Sequence, residues 1–304
     1  MKKIIITLAA ATLFGSPAFA NEHGHESHGN KQAPDAHAGG QLAVTDAVIA
    51  KERELLAQNT ASKGFGPQSP RDIDDVAGSN NRIFNTAPAS TNMNLCNIHF
   101  HKNAEHKAHE FSVYAGNGNG FGYLSGYKYS GSLNSKELTP LKNKVCSSHH
   151  GDGALLSGDT IEVHYVYTTA QVKPGPTLAS CLSKDVINNP QLRVETQVYV
   201  VVNDKHALNF KDLTKYGKAK SGLYQAVGIP KNTGTPVQYE GSTTGPGYNE
   251  QGSPYQVTWS IRPHVAKVNI STVGKWCEKN DFNENHGHGV RNLVINKDLL
   301  SAID

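Results

Sequence analysis

Beyond Ser90 the chain is a succession of short runs in which apolar and polar residues alternate, broken by turn-forming clusters. The runs LCNIHFH (95–101), EFSVYAG (110–116), TIEVHYVYT (160–168), RVETQVYVVV (193–202), YQVTWSIRP (255–263) and AKVNIS (266–271) are rich in β-branched and aromatic residues. Their period of two predicts strands. GNGNGFG, SSHHGDG and GSTTGPG supply the punctuation between strands. Ahead of them Val44, Val48, Ile49, Leu55 and Leu56 recur at helical intervals, after Thr45 and Asp46 as start signals. One amphipathic helix is predicted over 44–59. No internal repeat has a fixed period. The pattern predicts a mainly β fold with a few short helices (α+β), built on one open sheet.

The N-terminus follows other rules. Lys2 and Lys3, an apolar run from Ile4 to Phe14 and then Ala18-Phe19-Ala20 have the layout of a secretory signal over 1–20, cleaved after Ala20. No other run approaches the ~20 apolar residues of a membrane helix, so the expectation is a periplasmic or secreted protein with no membrane span. Residues 21–43 carry His23, His25, His28 and His37 among Gly, Ser, Pro and charges. Such a tail cannot bury enough surface to order itself. It would serve as a solvated spacer, with loose metal collection as the other reading. Residues 44–304 then form the folded domain.

Composition narrows the field. Apolar residues make up 37 % of the 304, while Gly and Pro together fill 43 positions, which favours a loop-rich β domain. Removing Lys2 and Lys3 leaves 27 basic against 26 acidic residues. That balance argues against a nucleic-acid partner, which needs a basic stripe. Cys96, Cys146, Cys181 and Cys277 are widely spaced, with no CxxC pair. In an oxidising compartment they predict up to two disulfides, in any of three pairings.

Candidate chemistry sits on two strands. Asn97, His99 and His101 alternate, so they share one face, with Cys96, Ile98 and Phe100 on the other. Glu162, His164 and Val166 alternate in the same way. Two imidazoles from one strand and a third from a neighbour can converge on one metal ion and leave a fourth position for water. Asn97 and Glu162, two places before His99 and His164, are suited to accept the ring N–H that fixes a ligand's tautomer. The remaining histidines have blander readings: His106, His109, His149, His150, His286 and His288 fall outside the alternation and read as exposed polar residues, although His149 or His150 could carry protons if their loop overhangs the site.

The order of motifs resembles that of the δ-class carbonic anhydrases and, more distantly, the α class. Gln68-Ser69-Pro70-Arg71-Asp72-Ile73 resembles the QSP segment of the α class. Asn97–His101 resembles the strand with two zinc histidines, Ala104-Glu105-His106 the short motif with a gatekeeping glutamate, and Glu162–Val166 the strand with the third histidine. Gly241–Pro246 and Val257-Thr258-Trp259 resemble the GS-x-TT-P loop and the VTW after it. The short His101–Glu105 interval and the long His101–His164 interval fit the δ class better. The loop lacks the apolar residue that α-class enzymes place before the first threonine, and the α-class shuttle histidine has no counterpart.

The resemblance implies an α-carbonic-anhydrase-like central, mostly antiparallel sheet. It implies reversible hydration of CO2 to bicarbonate by zinc-bound hydroxide, with Zn2+ on His99, His101 and His164 and with Co2+ or Cd2+ as ions able to replace it. It makes Thr243 and Glu105 the pair that orients the hydroxide, and Val166, Val198, Thr244 and Trp259 the pocket for CO2. The partner is a small molecule, CO2 or bicarbonate; oligomeric state is left open, a homodimer included. Two rival readings compete. His99-x-His101-x3-Glu105 also fits the cupin pattern, with Glu105 as a direct ligand of iron or manganese. A non-enzymatic metal-binding protein of the periplasm would rely on the His-rich tail. Taken singly, Thr243 and Thr244 are plain turn residues, Trp259 an ordinary core aromatic and Glu105 a solvated charge.

Overall fold

The computed structural model describes residues 43–82, 84–120, 122–147, 153–183 and 191–303. These fall in one unit, Gly39–Asp304; a second unit, Met1–Ala38, lies outside the described residues. The expected signal, the His-rich tail up to residue 42, and His149 and His150 are likewise outside them.

The chain order is α1 (Asp46–Thr60), β1 (Asn94–Lys102), β2 (Val113–Tyr114), β3 (Tyr127–Lys128), β4 (Thr160–Thr168), β5 (Leu192–Val202), α2 (Phe210–Leu213), β6 (Tyr216–Lys218), β7 (Tyr224–Ala226), β8 (Val237–Ser242), β9 (Gln256–Ile261), β10 (Ala266–Asn269) and α3 (Ile270–Glu278). The central sheet has six strands in the order β1-β4-β5-β9-β8, with β10 also paired to β5. β1/β4, β4/β5 and β8/β9 are antiparallel. β9 and β10 both run parallel to β5, along its first and last residues respectively. The sheet is therefore mixed and mainly antiparallel, as the family resemblance implied. β4 and β5 lie at its centre and every residue of both is buried, which explains their dense β-branched and aromatic content.

One apolar cluster lies on each face. Ile98, Phe100, Val163, Tyr165, Tyr199 and Val201 form one, closed over by Val273, Trp276 and Phe282. Val166, Val194, Val198, Val257, Trp259 and Ile261 form the other, with Ile73, Ala108, Phe111 and Tyr239 above them. The ladder register puts His99 opposite His164 and His101 opposite Glu162, so the histidines share the face of the second cluster.

Several expectations need correction. A bulge between Leu95 and Asn97 shifts the β1 ladder and brings Cys96 to the histidine side, within the second cluster. The run 110–116 forms only the two-residue strand β2: Ser112 Oγ turns back to the His109 carbonyl, and the Glu110 carboxylate accepts from the distant Val265 N. The run 266–271 stops at Asn269, whose side chain caps α3 through Ser271 N. β8 is a full edge strand that the pattern did not predict. The helix forms at 46–60, with Ile49 and Leu56 buried but Val48 exposed. The cysteines pair as Cys96–Cys181 and Cys146–Cys277. Among the described residues no helix is long and apolar enough to cross a membrane.

Phe100 is fully buried, with its ring 6.0 Å from both Phe210 and Trp276 on the face away from the histidines. Phe100→Ala is expected to lower unfolding free energy by about 3–5 kcal/mol, read by denaturant titration; a loss under about 1 kcal/mol would mean that this face is not the close-packed core described.

Candidate metal centre

β1 and β4 bring His99, His101 and His164 together, with donor nitrogens all within 4.8 Å of one another. His101 and His164 are buried and His99 is partly so. Each ring has one nitrogen committed outward. His99 Nδ1 meets Asn97 Oδ1 at 2.6 Å, His101 Nδ1 meets the Gly289 carbonyl at 2.8 Å, and His164 Nε2 meets Glu162 Oε1 at 2.7 Å. These partners only accept, so each places the ring proton on the outward nitrogen and leaves a lone pair on the other. His99 Nε2 and His164 Nδ1 then face each other at 3.3 Å. His101 Nε2 is buried with no partner among the described residues.

That donor set fits a tetrahedral cation. Imidazole nitrogens at ~2.0–2.1 Å from zinc stand ~3.3 Å apart, and two facing lone pairs with a third orphaned beside them have no stabilising arrangement without a cation. Glu105, Glu162 and His164 also have donor atoms close together. There, however, Glu162 is already bound through both oxygens, to His106 N at 3.1 Å and to His106 Nδ1 and His164 Nε2 at 2.7 Å each. Glu105 in turn accepts from Thr244.

Electrostatics agree with this division. Burial pulls the His99 imidazole well below its ordinary value, with His164 and His101 adding to it, and burial also lowers His164. His101 falls to about 4, through burial and then His288, against the Gly289 carbonyl. Glu105 and Glu162 move in opposite directions. Burial raises Glu105. At Glu162 burial also favours the acid, but His106 and His164 together outweigh it and hold the carboxylate well below the usual range.

Several sequence expectations change here. The hydroxyl that donates to Glu105 is Thr244, at 2.8 and 2.9 Å to its two oxygens. Thr243, expected in that place, instead meets Ser253 Oγ at 3.2 Å, because Thr243 N still pairs with Tyr255 O and continues the β8–β9 edge. Val166 faces Val194, which faces Trp259, so these three form one apolar row beside His164. Val198 instead pairs with Glu162, four residues along β5 from Val194. Trp259 lies with its ring 5.1 Å from that of His164, and its Nε1 is tied to Ser69 Oγ and Ser242 O. Ser69 thus anchors the QSP segment to β8 and β9. Gly241 permits this approach, since a Cβ there would lie 2.5 Å from Ser69 Oγ.

His106 is not an exposed residue. It is fully buried, with Nδ1 on Glu162 and Nε2 2.7 Å from Tyr239 Oη. His288 and His286 are half-buried; the His288 ring is 5.3 Å from that of His99, and its Nε2 is 2.6 Å from Glu284 Oε2. His109 is exposed, as expected. The residues that sequence reasoning missed, His106, Gly289 and Val194, come together only through pairings far apart in the chain. For Val194 the alternation along β5 was the available signal.

Three imidazoles converging on one face of an open sheet form a group able to hold a metal ion. The family model of the delta carbonic anhydrases matches residues 90–272, more than half of the chain, and the protein belongs to that family. The matched segment includes His99, His101, Glu105, His164 and Thr244. Among curated proteins none matches. Among solved structures, the alpha-carbonic anhydrase from Thermovibrio ammonificans in complex with the inhibitor sulfanilamide is similar at 14 % identity, over 84 % of this chain and 97 % of that one. Its TM-score is 0.31, and the family assignment rests on the matched segment alone. With the family shown and the sheet open, the cupin reading falls.

The depressed histidines give a pH dependence with a definite sign. In the unfolded chain they titrate near 6.5, so below that pH the unfolded state binds more protons than the folded one. Their contribution to stability is full above 6.5 and is lost as pH falls through the folded value, about 4 for His101. The metal-free protein is expected to melt at steadily lower temperature from pH 6.5 to 4, measured by calorimetry, and less steeply in His101→Asn. A profile unchanged by that substitution would contradict the assignment.

Proposed function

We propose that the enzyme hydrates CO2 at a zinc ion held by His99 Nε2, His101 Nε2 and His164 Nδ1. The orphaned, buried His101 Nε2 carries this reading. Zinc supplies a Lewis acid that brings the pKa of bound water to about 7 and so yields a nucleophile at neutral pH. Cobalt or cadmium would be accepted by the same donors.

The chain's own groups do the rest. Thr244 gives its proton to Glu105, so towards the metal centre its oxygen can only accept. It therefore selects an O–H donor and fixes its direction. Glu105 is the acceptor that commits Thr244 to that role, and its carboxylate is buried. Asn97, the Gly289 carbonyl and Glu162 keep the three ring tautomers, and His106 holds Glu162 in turn. Val166, Val194 and Trp259 form an apolar wall for an uncharged gas, with the Trp259 N–H turned away into Ser69. These assignments replace Thr243 and Val198 of the sequence reading.

We further propose export, with residues 1–20 removed and 44–304 as the catalytic domain. The two disulfides support an oxidising compartment.

Thr244→Ala is expected to lower kcat/KM for CO2 hydration by roughly 100-fold, Thr244→Ser to recover most of it, and Thr243→Ala to stay near the parent, all by stopped flow with a pH indicator. A larger loss in Thr243→Ala than in Thr244→Ala would overturn the role given to Thr244.

A further inference from the structure

The connection from β4 to β5 passes beside the first metal ligand. Asn97 Nδ2 donates to the Gly175 carbonyl at 3.1 Å, while Asn97 Oδ1 faces His99 Nδ1. Gly175 N donates back to the Cys96 carbonyl at 3.0 Å. Six residues on, Cys181 is bonded to Cys96, and its carbonyl accepts from Thr168 Oγ1 at 2.8 Å. Both sulfurs belong to fully buried residues. The β1 bulge makes this bond available, since without the extra residue Cys96 would face the other side of the sheet.

An amide has two ends of nearly equal size, and the partner at one end decides what the other presents. While the Gly175 carbonyl takes the NH2 end of Asn97, the oxygen must face His99, and His99 Nε2 keeps its lone pair. Were Gly175 to leave, the amide could turn and donate to His99 Nδ1, which would place the ring proton on Nε2, where a metal must bind.

We propose that the Cys96–Cys181 disulfide is a positioning device for the first metal ligand: by pinning Gly175 over Asn97 it fixes the His99 tautomer, so that the site holds its metal tightly only in the oxidised chain. This rests on the reading of His99, His101 and His164 as the ligands. The bond forms as the two thiols give up two protons and two electrons to a disulfide-bearing oxidant, which leaves as the dithiol. Because both sulfurs are buried, exchange takes place during folding, before the connection closes. Tight metal loading then follows oxidation, and a chain in a reducing compartment releases its metal more readily.

The second disulfide supplies the control. Cys146–Cys277 lies in the cluster on the opposite face, away from the histidines. Zinc-loaded full chains carrying Cys96→Ser/Cys181→Ser or Cys146→Ser/Cys277→Ser would be compared by zinc release to a chromophoric chelator, and by the visible spectrum of the cobalt-substituted forms. Release is expected to be on the order of 10-fold faster in the first pair than in the second, with an altered cobalt spectrum in the first only. Adding Asn97→Asp, whose two oxygens both accept, to the first pair is expected to restore slow release. Equal release from the two pairs, or no rescue by Asn97→Asp, would overturn the inference. A parent chain that holds no zinc would overturn the ligand assignment and the inference with it. Should the first pair fail to fold, Cys146→Ser/Cys277→Ser refolded with a dithiol or with an oxidant gives the same comparison, and equal release would again overturn it.

Discussion

Three neutral imidazoles aim their lone pairs at one another in a place that water hardly reaches. On its own this arrangement is unfavourable, since two facing acceptors and one orphan lose their hydration and gain no partner. A cation removes the conflict, and much of the surrounding structure keeps each ring ready for one. Asn97, Gly289 and Glu162 each take an outward N–H. Glu162 is fixed by His106, and His106 by Tyr239. The polar network is connected, so its members rigidify one another instead of leaving buried groups unpaired.

The sheet divides the labour between its faces. One face packs Phe100, Phe210 and Trp276 and carries stability; the other holds the largely buried histidines and carboxylates beside an apolar wall. A one-residue slip of β1 would exchange the two sets. The bulge before Asn97 is therefore a consequential irregularity. It leaves the histidine register intact while bringing Cys96 to the side where Cys181 waits.

Much of this was legible in the sequence. Strands β1, β4, β5 and β9 show period-two alternation because each has one or two buried faces, and the same alternation put His99, His101, Glu162 and His164 on inward positions. What was not legible depends on distant partners. β8 (VQYEGS) has weak alternation and borrows its order from β9. α3 (ISTVGKWCE) contains β-branched residues and a glycine that propensity assigns elsewhere; its cap at Asn269 and the burial of Val273 and Trp276 decide the outcome. His106 lacks the periodic signal and is buried by Glu162 and Tyr239, 56 and 133 residues away. In the loop after β8, two adjacent threonines are equivalent on paper. Which of them meets Glu105 is set by how far the β8–β9 pairing continues, and that placed Thr244 where Thr243 was expected.

The most direct test of the central claim is a zinc titration. CO2 hydration would be followed by stopped flow on the metal-stripped chain as zinc is added back. We expect activity to rise linearly, break at one equivalent and stay flat beyond it. Full activity in the stripped protein, or one tightly bound zinc with no hydration, would contradict the account.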